Sequence, residues 1–177
     1  MDAVRGWHDG ALKRIERELH ASSTDRRDRV ELRVNQTVPS LAGPALRPDL
    51  QLYNHTKKTV AVVDLAVAFE EQASDDASSS ALSLIASHKR AKYDRIKRHL
   101  DRQGWKVHLS ALVYGSLGAV ASGNYQVYTT HLGLLKRDAK RLDRQHRTRQ
   151  HQARPSQGPR GSRATKTGGT SSQTSRR

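Results

Sequence analysis

Between Thr59 and Phe69 the chain reads Thr-Val-Ala-Val-Val-Asp-Leu-Ala-Val-Ala-Phe, and one carboxylate, Asp64, stands in the middle of that run. Its length and valine content leave no solvated face, so it predicts a central strand covered on both sides. An ionised carboxylate in such a strand is costly unless it is paired. Two arrangements would compensate it. Asp64 could lie at the strand end and bond a neighbouring lysine, or it could share a divalent cation with a second acid.

The segment just upstream supplies that second acid. From Asp49 to Tyr53 polar and apolar residues alternate, with Leu50 and Leu52 on one side, which predicts a half-buried strand. Asn54-His55-Thr56-Lys57-Lys58 is polar and turn-prone and joins this strand to the valine run. Pro48 sets the entry into the first arm. Antiparallel pairing through a five-residue turn would bring the Asp49 end beside Asp64, where two carboxylates hold a cation better than one.

The remaining elements follow in order. Trp7 to His20 carries Trp7, Leu12, Ile15 and Leu19 close to one helical face, with Asp9 and Glu16 as solvated acids that pair with arginine. Arg29 to Val38 alternates as a first strand, and Thr37 to Pro44 is an irregular connection. After the polar stretch Glu71 to Ser80, Leu82, Ile85, Tyr93, Ile96 and Leu100 keep helical spacing up to Gly104. Lys89 falls in the middle of that apolar face and Lys92 at its edge. A lysine there either meets an anion or snorkels to water. Trp105 to Tyr114 predicts a fourth strand, Gly115 to Gly118 a sharp turn, and Leu117 to Leu135 a second packing helix.

Charge rises toward the C-terminus. Arg137, Lys140, Arg141, Arg144, Arg147 and Arg149 are opposed only by Asp138 and Asp143. From Gly158 onward no large apolar side chain remains, which predicts a disordered basic tail. Over 177 residues the formal charge is +15, with a pI near 10.8 and a mean hydropathy of −0.81. A polyanion is therefore the expected partner. The absence of cysteine excludes a disulfide framework, a zinc finger and a thiol nucleophile. No apolar segment is long enough to span a bilayer and the N-terminus does not resemble a signal peptide, so the expectation is a soluble intracellular protein with no membrane contact.

Arg47-Pro48-Asp49, followed after 14 residues by Asp64 within Val-Val-Asp-Leu-Ala-Val, resembles the PD-(D/E)XK signature of restriction-like endonucleases. With Trp7-His8-Asp9, Lys89-Arg90-Ala91-Lys92-Tyr93 and Leu112 to Gly118 in order, the pattern is similar to the endonuclease domain of site-specific non-LTR retrotransposon polyproteins. The resemblance covers roughly residues 5 to 135. It implies an α/β fold, a restriction-endonuclease-like αβββαβ core with a small mixed sheet flanked by helices. The implied division is an endonuclease-like domain over 1–135, a basic helical or frayed arm over 136–157 and a tail over 158–177.

The implied function is metal-dependent nicking of target DNA in the nucleus, by a fragment or retained piece of such a polyprotein. Asp49 and Asp64 would hold Mg²⁺ or Mn²⁺, and Glu70, of the same strand parity as Asp64, would assist. Lys89 or Lys92 would replace the motif lysine, whose usual position is Ala66 here. Arg47, Arg137, Lys140, Arg141 and Arg144 would contact DNA, and RNA as well. Neither the reverse transcriptase nor the upstream cysteine/histidine knuckle of such polyproteins is in this sequence. That leaves two alternatives, an inactive nucleic-acid-binding remnant of the domain and a small basic ribonucleoprotein component.

Overall fold

The computed structural model describes residues 2–23, 28–68, 75–115 and 119–152, with side chains described over 5–22, 28–68, 81–115 and 119–146. Glu70, part of the Gly115 to Gly118 turn and the 158–177 tail lie outside the described residues. The fold is mixed α/β, a four-stranded sheet flanked by helices. Helix α1 (Asp2–Ser23) leads into β1 (Val30–Val34), β2 (Leu50–Asn54) and β3 (Thr59–Ala68). Then come α2 (Asp75–Lys92), α3 (Asp94–Arg102), β4 (Lys106–Gly115), the short α4 (Asn124–Gln126) with a π-helical turn over Val127–His131, and α5 (Lys136–Gln152). The strand order is β1-β2-β3-β4. β1, β2 and β3 pair antiparallel, while β4 returns through α2 and α3 to pair parallel with β3.

The valine run is central, as its composition requires. Its odd-numbered residues Ala61, Val63 and Leu65 pack with Ala11, Leu12, Ile15 and Leu19 of α1 and with Ala139 and Leu142 of α5. Val60 and Val62 face the other way, onto Tyr93, Ile96 and Leu100. Farther along the same face, Ala66 and Ala68 meet Leu82 and Ala86 of α2. The sheet therefore has α1 and α5 on one side and α2 and α3 on the other.

The structure departs from the sequence reading in four places. The helix expected through Leu82 to Leu100 breaks at Tyr93, whose N–H bonds the Arg90 carbonyl oxygen at 3.1 Å. Val38 is not in the first strand; it sits in the connection and packs with Tyr93 and Ile96. Residues 119–123 are not helical, because Val120 bridges Tyr114 and Asn124 clamps the edge of β4. There the Val113 N–H donates to Asn124 Oδ1 at 3.0 Å, and Asn124 Nδ2 donates to the Val113 carbonyl oxygen at 2.9 Å. The basic segment from Lys136 is helical and seated, with Ala139, Leu142 and His146 each 0% exposed. His146 Nδ1 lies 2.9 Å from the Tyr114 hydroxyl. Burial, with Arg14 nearby, pushes the His146 imidazole down to about 3.

The connection from Asn35 to Pro48 is strapped to the α3 side. Gln51 Nε2 donates to the Gln36 carbonyl oxygen at 2.6 Å, His99 Nε2 lies 3.2 Å from the Pro39 carbonyl oxygen, and Arg95 donates to that of Pro44. At Gly43, φ is +87°, a conformation that strains any side-chain-bearing residue, and a Cβ would come within 2.8 Å of the Arg95 guanidinium. No helix among the described residues is long and apolar enough to cross a membrane.

The Asn124 clamp gives a direct test. Asn124→Ala strips one edge of β4 of two buried hydrogen bonds and should cost about 2 kcal/mol in urea unfolding. Ser122→Ala, at an exposed position beside it, should stay within about 0.5 kcal/mol. Equal effects would mean that the clamp does not hold the edge.

Candidate functional site at the end of β2

The register pairs Leu50 with Val63. Continued by one residue, it sets Asp49 across from Asp64, on the α2/α3 side of the sheet. β2 stops there while β3 continues to Ala68 beside β4. The Leu65 N–H would lack a strand partner, and Asp49 Oδ2 accepts from it at 2.6 Å. The first acid thus caps the ladder as well as facing the second.

Asp64 is 3% exposed and is compensated from α2. Lys89 Nζ stands 2.5 Å from Asp64 Oδ2, and the Tyr93 hydroxyl donates to Oδ1 at 2.6 Å. The ammonium and the carboxylate oxygen meet as a close charge-assisted pair. Lys92 is one bond further out, its Nζ donating to the Tyr93 hydroxyl at 3.0 Å. Arg47 stands alongside with an exposed side chain, its carbonyl oxygen 3.3 Å from that hydroxyl.

Two further groups complete the cluster. His8 Nε2, from α1, lies 3.3 Å from Asp49 Oδ2, and its Nδ1 lies 3.2 Å from Asp9 Oδ1. The Asp49 hydrogen bond, opposed by burial and helped by Asp9, raises His8 above its ordinary value. Burial would raise Asp49, but the bonds from His8 and Leu65, with the charges of His8 and Lys89, outweigh it and hold the carboxyl below its ordinary value. Burial and the bond to Asp64 raise Tyr93, which stays a neutral donor. The sequence places Tyr93 on the apolar stripe of a helix and His8 in a motif that opens one, and neither position signals a hydrogen bond to an acid. Tyr93 lies four residues after Lys89, which puts both on one helical face. His8 reaches Asp49 across 41 positions, and no local pattern signals that contact.

The other expected residues lie elsewhere. Ala66 points into the apolar contact with α2, so Lys89 is the ammonium at Asp64. α5 lies on the opposite side of the sheet, where Arg141 pairs with Glu18 at 2.6 Å and Asp138 at 3.1 Å. Arg137 is 3.6 Å from Asp138, Arg144 donates to the Lys140 carbonyl oxygen, and Lys140 is exposed. Glu70 lies outside the described residues.

Whether a divalent cation fits can be judged from the donors. Among the described residues no group of three or more His, Cys, Asp or Glu side chains is gathered around one point. Two carboxylates, however, are the share of ligands that protein commonly gives Mg²⁺, with water and phosphate supplying the rest. Asp64 Oδ2 is a hard oxygen that faces the Lys89 ammonium at 2.5 Å, so a cation there would take the place of that ammonium.

The His8–Asp49 contact links stability to pH. The raised His8 contributes stability that is complete below its unfolded value of 6.5 and is lost as pH rises through its higher folded value. The lowered Asp49 contributes above its unfolded 3.8 and loses that contribution as pH falls through its folded value. The stability difference between the native protein and His8→Gln should therefore be larger near pH 5 than near pH 9 in urea unfolding. A difference that is equal or larger at pH 9 would contradict the pairing.

No protein-family model matches this sequence, and no curated protein matches it.

Proposed function

We propose that the chain is a metal-dependent DNA endonuclease domain of the restriction-like kind, as carried by site-specific non-LTR retrotransposons. The observation that carries this reading is the convergence of Asp49, Asp64 and Lys89 from three separate elements at the point where β2 ends. The order of elements supports it as well: helix, three antiparallel strands, helices, then a parallel fourth strand, which is the αβββαβ order of that class.

The residues divide the work. Asp49 and Asp64 would hold Mg²⁺ or Mn²⁺, with Glu70 as an assisting acid. When bound, the cation supplies a more acidic water and charge neutralisation at the leaving oxygen. Tyr93 fixes the Asp64 carboxylate through Oδ1 and leaves Oδ2 toward Lys89. The Leu65 N–H and His8 fix Asp49 in the same way. Lys89, whose side chain is 31% exposed, can turn its ammonium from Asp64 to a phosphate oxygen and stabilise charge there. Lys92 and Arg47 stand next to it and suit the flanking phosphates.

The same Lys89 contact favours a second reading, a DNA-binding domain without turnover. An ammonium against Asp64 Oδ2 already neutralises the acid that a cation would need.

Nicking of supercoiled plasmid by the full chain with Mg²⁺ or Mn²⁺ separates the two. The nuclease reading predicts nicking that EDTA abolishes and that Asp49→Asn and Asp64→Asn each lower by about 10²-fold or more. Lys89→Met should cost about as much and Lys92→Met less. A folded protein that binds plasmid but does not nick it supports the second reading, and nicking that survives both aspartate substitutions rules out this site.

A further inference from the structure

We propose that the exposed cations of α3, Arg98 and Arg102, form with Lys92 a ridge that holds the phosphate backbone of duplex DNA where it leads into the Asp49/Asp64 site. The choice of duplex DNA rests on the nuclease reading; the ridge itself rests on geometry.

α3 begins at Asp94, immediately after Tyr93, whose hydroxyl bonds Asp64. It runs nine residues, about 13 Å at 1.5 Å each. It ends where Trp105 and Lys106 turn into β4, with the Lys106 N–H bonded to the Lys58 carbonyl oxygen. The helix therefore leads away from Asp64 toward the start of β3. Ile96 and Leu100 are buried against the sheet, which turns Arg98 and Arg102 outward. The Arg98 side chain is 72% exposed. With Arg95 and Asp101, these two arginines line a shallow surface depression of about 550 Å³.

The charges on this ridge are available to a ligand. Asp101 is taken by Lys97 at 2.5 Å. Asp94 pairs with Arg98 at 2.9 Å across open surface, a contact that a phosphate can displace. Arg102 donates to the Arg98 carbonyl oxygen at 3.2 Å and has no ion pair among the described residues. Lys92, exposed at the helix junction, donates from Nζ to the Tyr93 hydroxyl that also bonds Asp64, and so stands between α3 and the site. The outward side of α3 carries no aromatic residue on which bases could stack, so the contact is to phosphate and independent of sequence.

The sheet separates this ridge from the other basic helix. α5 packs on the side of α1, across the sheet from Asp64. Asp64 faces α2 and α3, so a duplex approaching it from that side meets the cations of α3 together with Lys89, Arg90 and Lys92 in the last turn of α2.

The test is binding of the full chain to a fluorescein-labelled 30-base-pair duplex, followed by anisotropy between 50 and 200 mM salt in EDTA. Each lost phosphate contact lowers the magnitude of the negative slope of log K against log [salt] by about 1. Arg98→Ala/Arg102→Ala should therefore lower it by about 2, alike on unrelated sequences. Lys13→Ala/Arg17→Ala removes the same charge from exposed positions on α1 and should leave the slope unchanged. No loss in the α3 pair, an equal loss in the α1 pair, or a larger loss in Arg137→Ala/Lys140→Ala would overturn the ridge. A loss confined to an RNA duplex of the same length would overturn the choice of DNA. Because EDTA prevents cleavage, a ridge that binds in a protein that cannot nick counts against the nuclease reading alone.

Discussion

A carboxylate buried at the centre of a sheet has to be answered, and the answer to Asp64 organises one whole side of this molecule. Its two partners come from the last turn of α2 and the residue after it, Lys89 and Tyr93. Removing either would leave a buried acid partly uncompensated, a cost that buried ion pairs make severe when one partner is lost. The pair is thus a structural necessity before it is anything else. It sits where the pairing with β2 gives out and β3 continues, with Asp64 3% exposed and the Lys89 side chain 31% exposed.

The break between α2 and α3 follows from the same demand. Tyr93 belongs to the apolar stripe and is 2% exposed, yet its hydroxyl must reach Asp64 Oδ1. The α-helix stops for one residue at that point, with Tyr93 at φ −100° and ψ 9°, and α3 begins at Asp94. From there Arg95 and His99 reach the carbonyl oxygens of Pro44 and Pro39 in the connection that ends at Asp49. The second acid is therefore positioned by the helix that the first acid's partner begins. Asp49 adds its own restraint by capping the Leu65 N–H.

Much of this was legible in the sequence, for physical reasons. Alternation at Leu50 and Leu52, the valine run and the polar turn between them fixed two strands and nearly fixed their register. The gap at Lys89 in an apolar stripe marked an ammonium bound for an anion. The rest was not legible, because it depends on contacts between distant residues. Nothing local shows that His8 meets Asp49, or that Asn124 replaces a strand at Val113 and so cuts short the helix expected from Leu117. Composition also hid the seating of α5, whose Ala139, Leu142 and His146 stripe is narrow among many cations.

The measurement that bears most directly on the central claim is Mn²⁺ binding to the full chain, followed by the loss of the free-ion paramagnetic resonance signal. If Asp49 and Asp64 form a cation site balanced by Lys89, the native protein binds Mn²⁺, Asp64→Asn and Asp49→Asn lose it, and Lys89→Met binds more tightly because the competing ammonium is gone. Native-like Mn²⁺ binding in both aspartate variants, or none in the native protein and in Lys89→Met alike, would contradict the account and leave the Asp64–Lys89 pair as a structural contact only.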